Sequence, residues 1–95
     1  MDSLTDIAVF NQVVESGSFT AAAERLSLSK GVVSKYVSRL EQRLGARLLN
    51  RTTRRLSLTE VGRAFHDRSR RALQEIEDAE IEVSRMQSEP RGVVR

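Results

Sequence analysis

The chain has 95 residues, of which 39% are hydrophobic and 31% charged, and it contains no cysteine. This length suits one small domain with a modest core, and the apolar content is too high for a disordered chain. The lack of cysteine excludes a disulfide framework, a thiolate metal site and a cysteine nucleophile. No apolar run reaches membrane length and the first residues do not form a signal peptide, so we expect a cytoplasmic protein without a membrane partner.

The net charge of +3 is unevenly distributed along the chain. From Lys30 to Arg55 there are eight cations and one anion, whereas from Glu75 to Glu89 there are six anions and one cation. A basic block of this kind is where a polyanion would bind, although a charge run is often only a solvated surface.

Two helices are predicted before the basic block. The first extends from about Leu4 to Ser16, with apolar residues at helical spacing and Gly17 as a natural stop. Ser18 is placed to cap a second, short helix from Phe19 to about Leu26. The inward face of this second helix is formed by Phe19, Ala22, Ala23 and Leu26. Its small alanines either allow another helix to approach closely or simply favour helix formation.

A turn at residues 27–29 leads into a third predicted helix, from Lys30 to Leu44. Leu28 is expected to enter the core, Ser29 to cap the helix start and Gly45 to follow its end. The buried stripe would be Val33, Val37, Leu40 and Leu44. The opposite face would carry Lys30, Gly31, Ser34, Lys35, Ser38, Arg39 and Gln42.

A short helix, a tight turn and a longer helix with outward cations together indicate a helix-turn-helix, which places one helix in the major groove of DNA. The N-terminal residues of such a helix read base edges. Gly31 lies near that start, either because the DNA approaches closely or because a first helical turn tolerates glycine.

Two apolar stretches, at residues 48–49 and 56–58, flank a polar segment with three arginines. This pattern predicts a β-hairpin whose tip carries Arg51, Arg54 and Arg55, in other words a wing. A basic tip suits phosphates or a narrow minor groove, where the negative potential is enhanced, although an ordinary solvated turn would look similar.

Thr59 is placed to cap a last helix that continues to about Ser88, before Pro90. Its apolar or small residues alternate at steps of four and three, which is a heptad seam: Phe65, Ser69, Ala72, Ile76, Ala79, Val83 and Met86. The outer half cannot reach a domain this small, so we expect a partner copy to cover it, while Phe65 could pack on its own domain. The final residues, PRGVVR, look like a linker that enters a strand, which suggests a fragment of a longer protein.

In these features the sequence resembles the N-terminal DNA-binding domain of LysR-type transcriptional regulators, over nearly the whole chain. The resemblance rests on Phe10 with Val13, on GSFTAAAERLSLS at 17–29, on SRLEQRLGARLL at 38–49 and on RTTRRLSLTEVG at 51–62. It implies dimers, or tetramers of dimeric units, that bind interrupted palindromes near promoters. It also implies that the linker helices of two copies pair antiparallel. It also implies that the closing residues begin an effector-binding domain, whose ligand would be a small molecule.

The resemblance assigns roles to individual residues. Those that would face the major groove are Lys30, Gly31, Ser34 and Lys35, with Val32 either touching a thymine methyl or packing. Those matched to the DNA backbone are Thr20, Ser29 and Arg51, while Tyr36 and Arg39 lie either along the backbone or merely at the surface. Those of the wing are Thr53, Arg54 and Arg55. Many members have Gln-Pro where this chain has Lys30-Gly31, so its preferred bases could differ.

We therefore predict a mainly α fold, with a winged helix-turn-helix at 1–58, a dimerisation or linker helix at 59–89 and the start of an effector-binding domain at 90–95. The predicted function is sequence-specific binding of double-stranded DNA as a homodimer in bacterial transcription regulation, with no cofactor in this part of the chain. The dimer interface would comprise Phe65, Ala72, Ile76, Ala79, Val83 and Met86.

Three alternatives stay open. A helical protein-interaction module with a basic patch would not need the wing or the small-residue turn. Another winged-helix family would bind RNA or sense a metal, but there is no cysteine or histidine cluster, and the deep groove of RNA does not suit a reading helix. An enzyme would have to use His66, the single histidine, which is far more often a packed or solvated residue.

Overall fold

The computed structural model describes residues 3–50 and 55–88. Its elements, in chain order, are α1 (Ser3–Ser16), α2 (Phe19–Leu26), α3 (Lys30–Leu44), β1 (Leu49–Asn50), β2 (Ser57–Leu58) and α4 (Glu60–Ser88). The predicted mainly α fold with a small hairpin and a long final helix is confirmed. No described helix is both long and apolar enough to cross a bilayer.

The core lies where α1, α2 and α3 meet. Fully buried side chains of α1 and α3 fill its centre, and the alanines of α2 let that helix approach. Leu48 and Leu49, which follow α3, complete it from the side of the hairpin. The buried apolar residues are Val9, Phe10, Val13, Ala22, Ala23, Val33, Val37, Leu40, Leu48 and Leu49.

The helix caps of α2 and α3 are those expected from the sequence. The N–H of Ala21 donates to Ser18 Oγ, and the N–H of Val32 donates to Ser29 Oγ at 3.1 Å. Ser27 closes α2 in the left-handed region, with φ 58°. This turn leaves Leu28 at a corner with 38% of its surface exposed, so the prediction that Leu28 enters the core is wrong. The neighbouring Ala22, Ala23 and Val33, in contrast, are buried in the core.

The end of α3 brings a second correction. Gly45 adopts φ 69° and ends the helix, as predicted, with its N–H donating to the carbonyls of Glu41 and Gln42. Leu44, however, is 41% exposed and does not extend the buried stripe. The chain reverses after Gly45 and places Leu48 in the core. The last turn of α3 therefore extends past the core, and Leu44 has no surface to pack against.

The predicted hairpin is present as an antiparallel pair in which Leu49 is opposite Leu58 and Asn50 is opposite Ser57. Residues 51–54, the tip of the predicted wing, lie outside the described residues. A single residue, Thr59, joins β2 to α4. Its N–H donates to Leu48 O at 3.0 Å, which holds the start of α4 against the hairpin.

Helix α4 begins against the hairpin and then leaves the domain. Thr59 caps it as predicted, since Thr59 Oγ1 accepts the N–H of Gly62 and donates to Arg47 O. Gly62 is buried, and a Cβ there would overlap the carbonyl oxygen of Leu48 and lie 2.8 Å from its carbon, so only glycine fits. From residue 74 onward every described residue of the helix is exposed.

Candidate nucleic-acid interface

The exposed face of α3 carries positive charge and no negative charge. Lys30, Lys35 and Arg39 are exposed, and Gly31, Ser38 and Gln42 lie on the same face. The single acidic residue of this helix, Glu41, is buried with 7% exposure. A ligand that approaches this face therefore meets cations, small polar groups and the exposed Val32, and no acidic side chain of α3.

The buried carboxylate of Glu41 fastens the end of α3 to the hairpin. Its Oε2 accepts the backbone N–H of Leu48 at 2.8 Å and that of Leu49 at 3.2 Å, while Oε1 accepts from Arg47 Nη1 at 3.3 Å. These donors compensate for burying the charge. These contacts join the end of α3 to the start of the first hairpin strand.

The other residues that the resemblance places along the DNA are distributed as follows. Val32, Thr20 and Ser29 are exposed near the start of α3 or on α2, and Ser34 is half-buried at the edge of the exposed face. Tyr36 packs against the core, and the Arg39 guanidinium lies 5.7 Å from the centroid of its ring. This contact orients the Arg39 cation along the helix surface.

Of the predicted wing residues, Arg55 is described and is exposed two residues before β2. Arg51, Thr53 and Arg54 lie outside the described residues. The hairpin strands show that the base of the wing adjoins the end of α3, through the Glu41 contacts already given.

The seam residues of α4 divide into two groups. Phe65 packs on its own domain, with its ring centroid 5.9 Å from that of Phe10, so the structure assigns it to the core where we predicted the dimer interface. Ser69 is also buried against α1. The exposed group is Ala72, Ile76, Ala79, Val83 and Met86.

Two buried polar contacts were missed by sequence reasoning. The Glu41 contacts had no signal in the sequence, because their backbone donors, Leu48 and Leu49, lie seven and eight positions away across the turn that follows α3. The hydrogen bond from Asn11 Nδ2 to Ser69 Oγ, at 3.0 Å, joins residues 58 positions apart and had none. His66 lies edge-on to Phe10 at 6.2 Å, as a packed residue. Within the described ranges, no group of three or more His, Asp or Glu side chains could hold a metal ion.

The short helix, the turn, the cationic third helix and the adjoining hairpin define a winged helix-turn-helix domain. The chain also matches the family described as bacterial regulatory helix-turn-helix proteins of the lysR family, over residues 4–63. It belongs to that family, and the resemblance recognised from the motifs is confirmed.

Relatives and solved structures agree with this assignment. The chain is 53% identical over 92 residues to an HTH-type transcriptional regulator of Xanthomonas campestris, and 52% identical over 90 residues to the regulator CrgA of Neisseria meningitidis. These alignments cover 97% and 95% of the chain but 27% and 30% of the relatives. The chain thus spans under a third of the length of these relatives.

A DNA complex of the BenM DNA-binding domain with its catB site superposes with a TM-score of 0.85 at 31% identity, over 93% of this chain and 97% of that one. The structure of CrgA superposes with a TM-score of 0.71 at 54% identity, over 83% of this chain and 27% of that one.

Proposed function

We propose that this domain binds double-stranded DNA sequence-specifically, as a homodimer, for a LysR-type transcriptional regulator. The observation that carries the proposal is the all-cationic exposed face of α3, made so by the burial of its one carboxylate. A phosphate-rich duplex suits this face, whereas an apolar partner would find little to bury there.

In this proposal, α3 enters the major groove by its N-terminal end. Lys30, Gly31, Val32, Ser34 and Lys35 are the candidates for contacts with base edges. Lysine favours guanine, which presents two acceptors there. Phosphates would be contacted by Thr20, Ser29, Tyr36, Arg39 and Arg51, and the minor groove by Thr53, Arg54 and Arg55 of the wing.

Two features of α4 support the dimer. Its exposed apolar residues Ile76, Val83 and Met86 follow one side of the helix and have no surface of their own domain to cover them. Its charge is also polarised, since residues 60–74 carry four arginines and two acids and residues 75–88 carry five acids and one arginine. An antiparallel pair places opposite charges side by side, whereas a parallel pair opposes like charges. The interface would comprise Ala72, Ile76, Ala79, Val83 and Met86 of both copies.

The same proposal assigns the division of the chain into functional segments, the compartment and the higher assembly. Residues 1–58 form the DNA-reading unit, 59–89 the linker helix and 90–95 the approach to an effector-binding domain that would take a small molecule. A regulator of bacterial promoters acts in the cytoplasm, and no catalytic role is assigned to the domain. In the full-length protein the dimers could assemble further into tetramers.

The test is selection from a randomised duplex pool at near-physiological salt, followed by sequencing of the bound fraction. We expect enrichment of an interrupted palindrome. With six to eight phosphates neutralised per dimer, the slope of log K against log salt should be roughly −5 to −7. No binding would favour the alternative of a protein-interaction module, and binding without enrichment would leave only a non-specific basic surface.

A single substitution distinguishes base-specific contacts from non-specific electrostatic attraction to DNA. Lys35→Ala should cost about 1–3 kcal/mol on the selected site and relax the preference at one base position. Arg70→Ala is the matched control, because it removes one exposed cation of α4 whose partner Asp67 is itself half-exposed, and it should weaken selected and random duplexes equally and slightly. Equal losses for Lys35→Ala on selected and random duplexes would contradict its role in reading bases.

A further inference from the structure

Among the contacts of α4 with the rest of the domain, two are specific enough to constrain the direction in which the helix leaves it. The first is the start of the helix, where buried Gly62 lies against the backbone of Leu48 and allows no Cβ between them. The second is two turns later, where Asn11 Nδ2 of α1 donates to Ser69 Oγ at 3.0 Å. Phe65 packs on Phe10 between these points, but an apolar contact of this kind has little directionality.

The distance between the two points is short compared with the rest of the helix. Seven residues separate Gly62 from Ser69, which is about 10 Å along the axis, and a further 28 Å or so extends from Ser69 to Ser88. A sideways shift of about 1 Å at Ser69 would therefore move Ser88 by about 4 Å. Displacement by that amount corresponds to roughly one base pair along a duplex.

The contact at the second point is not one that maximises stability. Asn11 is 4% exposed, and its Nδ2 is satisfied by Ser69 Oγ and by Ile7 O at 3.0 Å. Its Oδ1 is buried and has no hydrogen-bond partner among the described residues. An apolar pair of similar volume would avoid this cost. A buried asparagine can instead specify one alignment of two helices, as it does in coiled coils.

We propose that Asn11 and Ser69 are positioning residues that set the distance between the two half-sites the dimer recognises. The proposal rests on the function proposed above. The hydrogen bond fixes the angle of α4, the paired helices carry that angle to the second copy, and the second α3 is thereby placed at one spacing. Neither residue touches DNA in this arrangement, so they would select spacer length and not base sequence.

The test uses the 95-residue chain and duplexes built from the site that the unsubstituted chain enriches, with spacers of different length between unchanged half-sites. The double variant Asn11→Leu with Ser69→Ala replaces both partners by apolar groups. Its affinity ratio between the best spacer and spacers one base pair longer or shorter should fall by about two- to tenfold, the range equivalent to one net hydrogen bond. Half-site base preference should be unchanged, and the thermal midpoint should be equal or higher.

Two further variants complete the design. Ser69→Ala alone leaves Asn11 bonded to Ile7 O, and should show the same loss of spacer preference if the double variant folds poorly. Ser84→Ala changes an exposed serine of the same helix, and should leave the spacer ratio unaltered.

An unchanged spacer ratio in Ser69→Ala and in the double variant would overturn the inference. So would an equal loss of affinity on every spacer together with a lower thermal midpoint, since that pattern is one of plain destabilisation. If the unsubstituted chain enriches no paired half-sites at all, the proposed function fails first, and this inference fails with it.

Discussion

The core of the domain and the outer half of α4 are both built from apolar residues at helical spacing, yet they expose them very differently. Phe10, Val13 and Val33 are fully buried, whereas Ile76 is 40% exposed, Val83 55% and Met86 62%. In the core, the chain itself supplies the opposing surface. In the outer half of α4 it does not, and we propose that the equally regular pattern there marks a surface for association. Periodicity therefore reveals which residues need burial, but not which molecule provides it.

The largest effect that would test this contrast is expected in the core. Phe10→Ala should lower the free energy of unfolding by about 3–5 kcal/mol, because it removes a ring that contacts α4 as well as the core. Urea titration followed by circular dichroism at one fixed protein concentration measures this change, since dimer stability depends on concentration.

Met86→Ala is the control for that measurement, and should change the unfolding free energy of the domain by less than about 0.5 kcal/mol at concentrations where the chain is monomeric. Similar losses for the two variants would mean that the distal part of α4 already packs within one chain, and would contradict its proposed role as an uncovered surface.

An intermediate effect is expected at the boundary between the two regions. Gly62→Ala should destabilise the fold by about 1–3 kcal/mol, because its new Cβ would overlap the Leu48 carbonyl. Thermal unfolding measures the loss. Gly31→Ala is a matched change, with nothing within 4 Å of its Cβ, and should leave stability equal or raise it by up to about 1 kcal/mol. A neutral Gly62→Ala would show that α4 can shift away from the hairpin without penalty.

The smallest effect is expected on the exposed seam. Val83→Ser should weaken the dimer by about 1 kcal/mol per copy while the domain itself stays folded. Ile81→Ser makes a similar change on the opposite side of the same helix and should leave the dissociation constant of the dimer unchanged. Sedimentation equilibrium on both variants distinguishes them, and equal weakening would mean that the interface is not the predicted seam.

Most of the fold could be predicted from the sequence because its signals are local. The caps at Ser18, Ser29 and Thr59 and the stop at Gly45 each depend on a few neighbouring residues, and all are present. The errors at Leu28 and Leu44 have a different origin. Each lies on an apolar face by its spacing, but its burial depends on whether another element reaches it, which spacing does not encode.

The candidate site was predictable to a similar extent. The cations of α3 lie outward as expected because charged side chains resist burial. The buried contacts that orient the site could not be predicted in this way. The three donors around Glu41 come partly from the backbone, and the Asn11–Ser69 hydrogen bond spans 58 positions. Neither contact produces a recognisable pattern in a single sequence. Such long-range polar contacts can be identified only when the fold shows which residues lie side by side.

The cap of α3 restricts the amino acids that position 29 can hold. Ser29 Oγ uses a lone pair for the Val32 N–H, so its own hydroxyl hydrogen is still available to donate to a phosphate oxygen. Aspartate caps helices equally well, but it would bring a negative charge to the face that we propose meets DNA. Alanine would remove both interactions. Among common capping residues, a hydroxyl thus combines helix capping and a proposed phosphate contact in one atom. Fewer amino acids should therefore be tolerated at this exposed position than at other exposed positions.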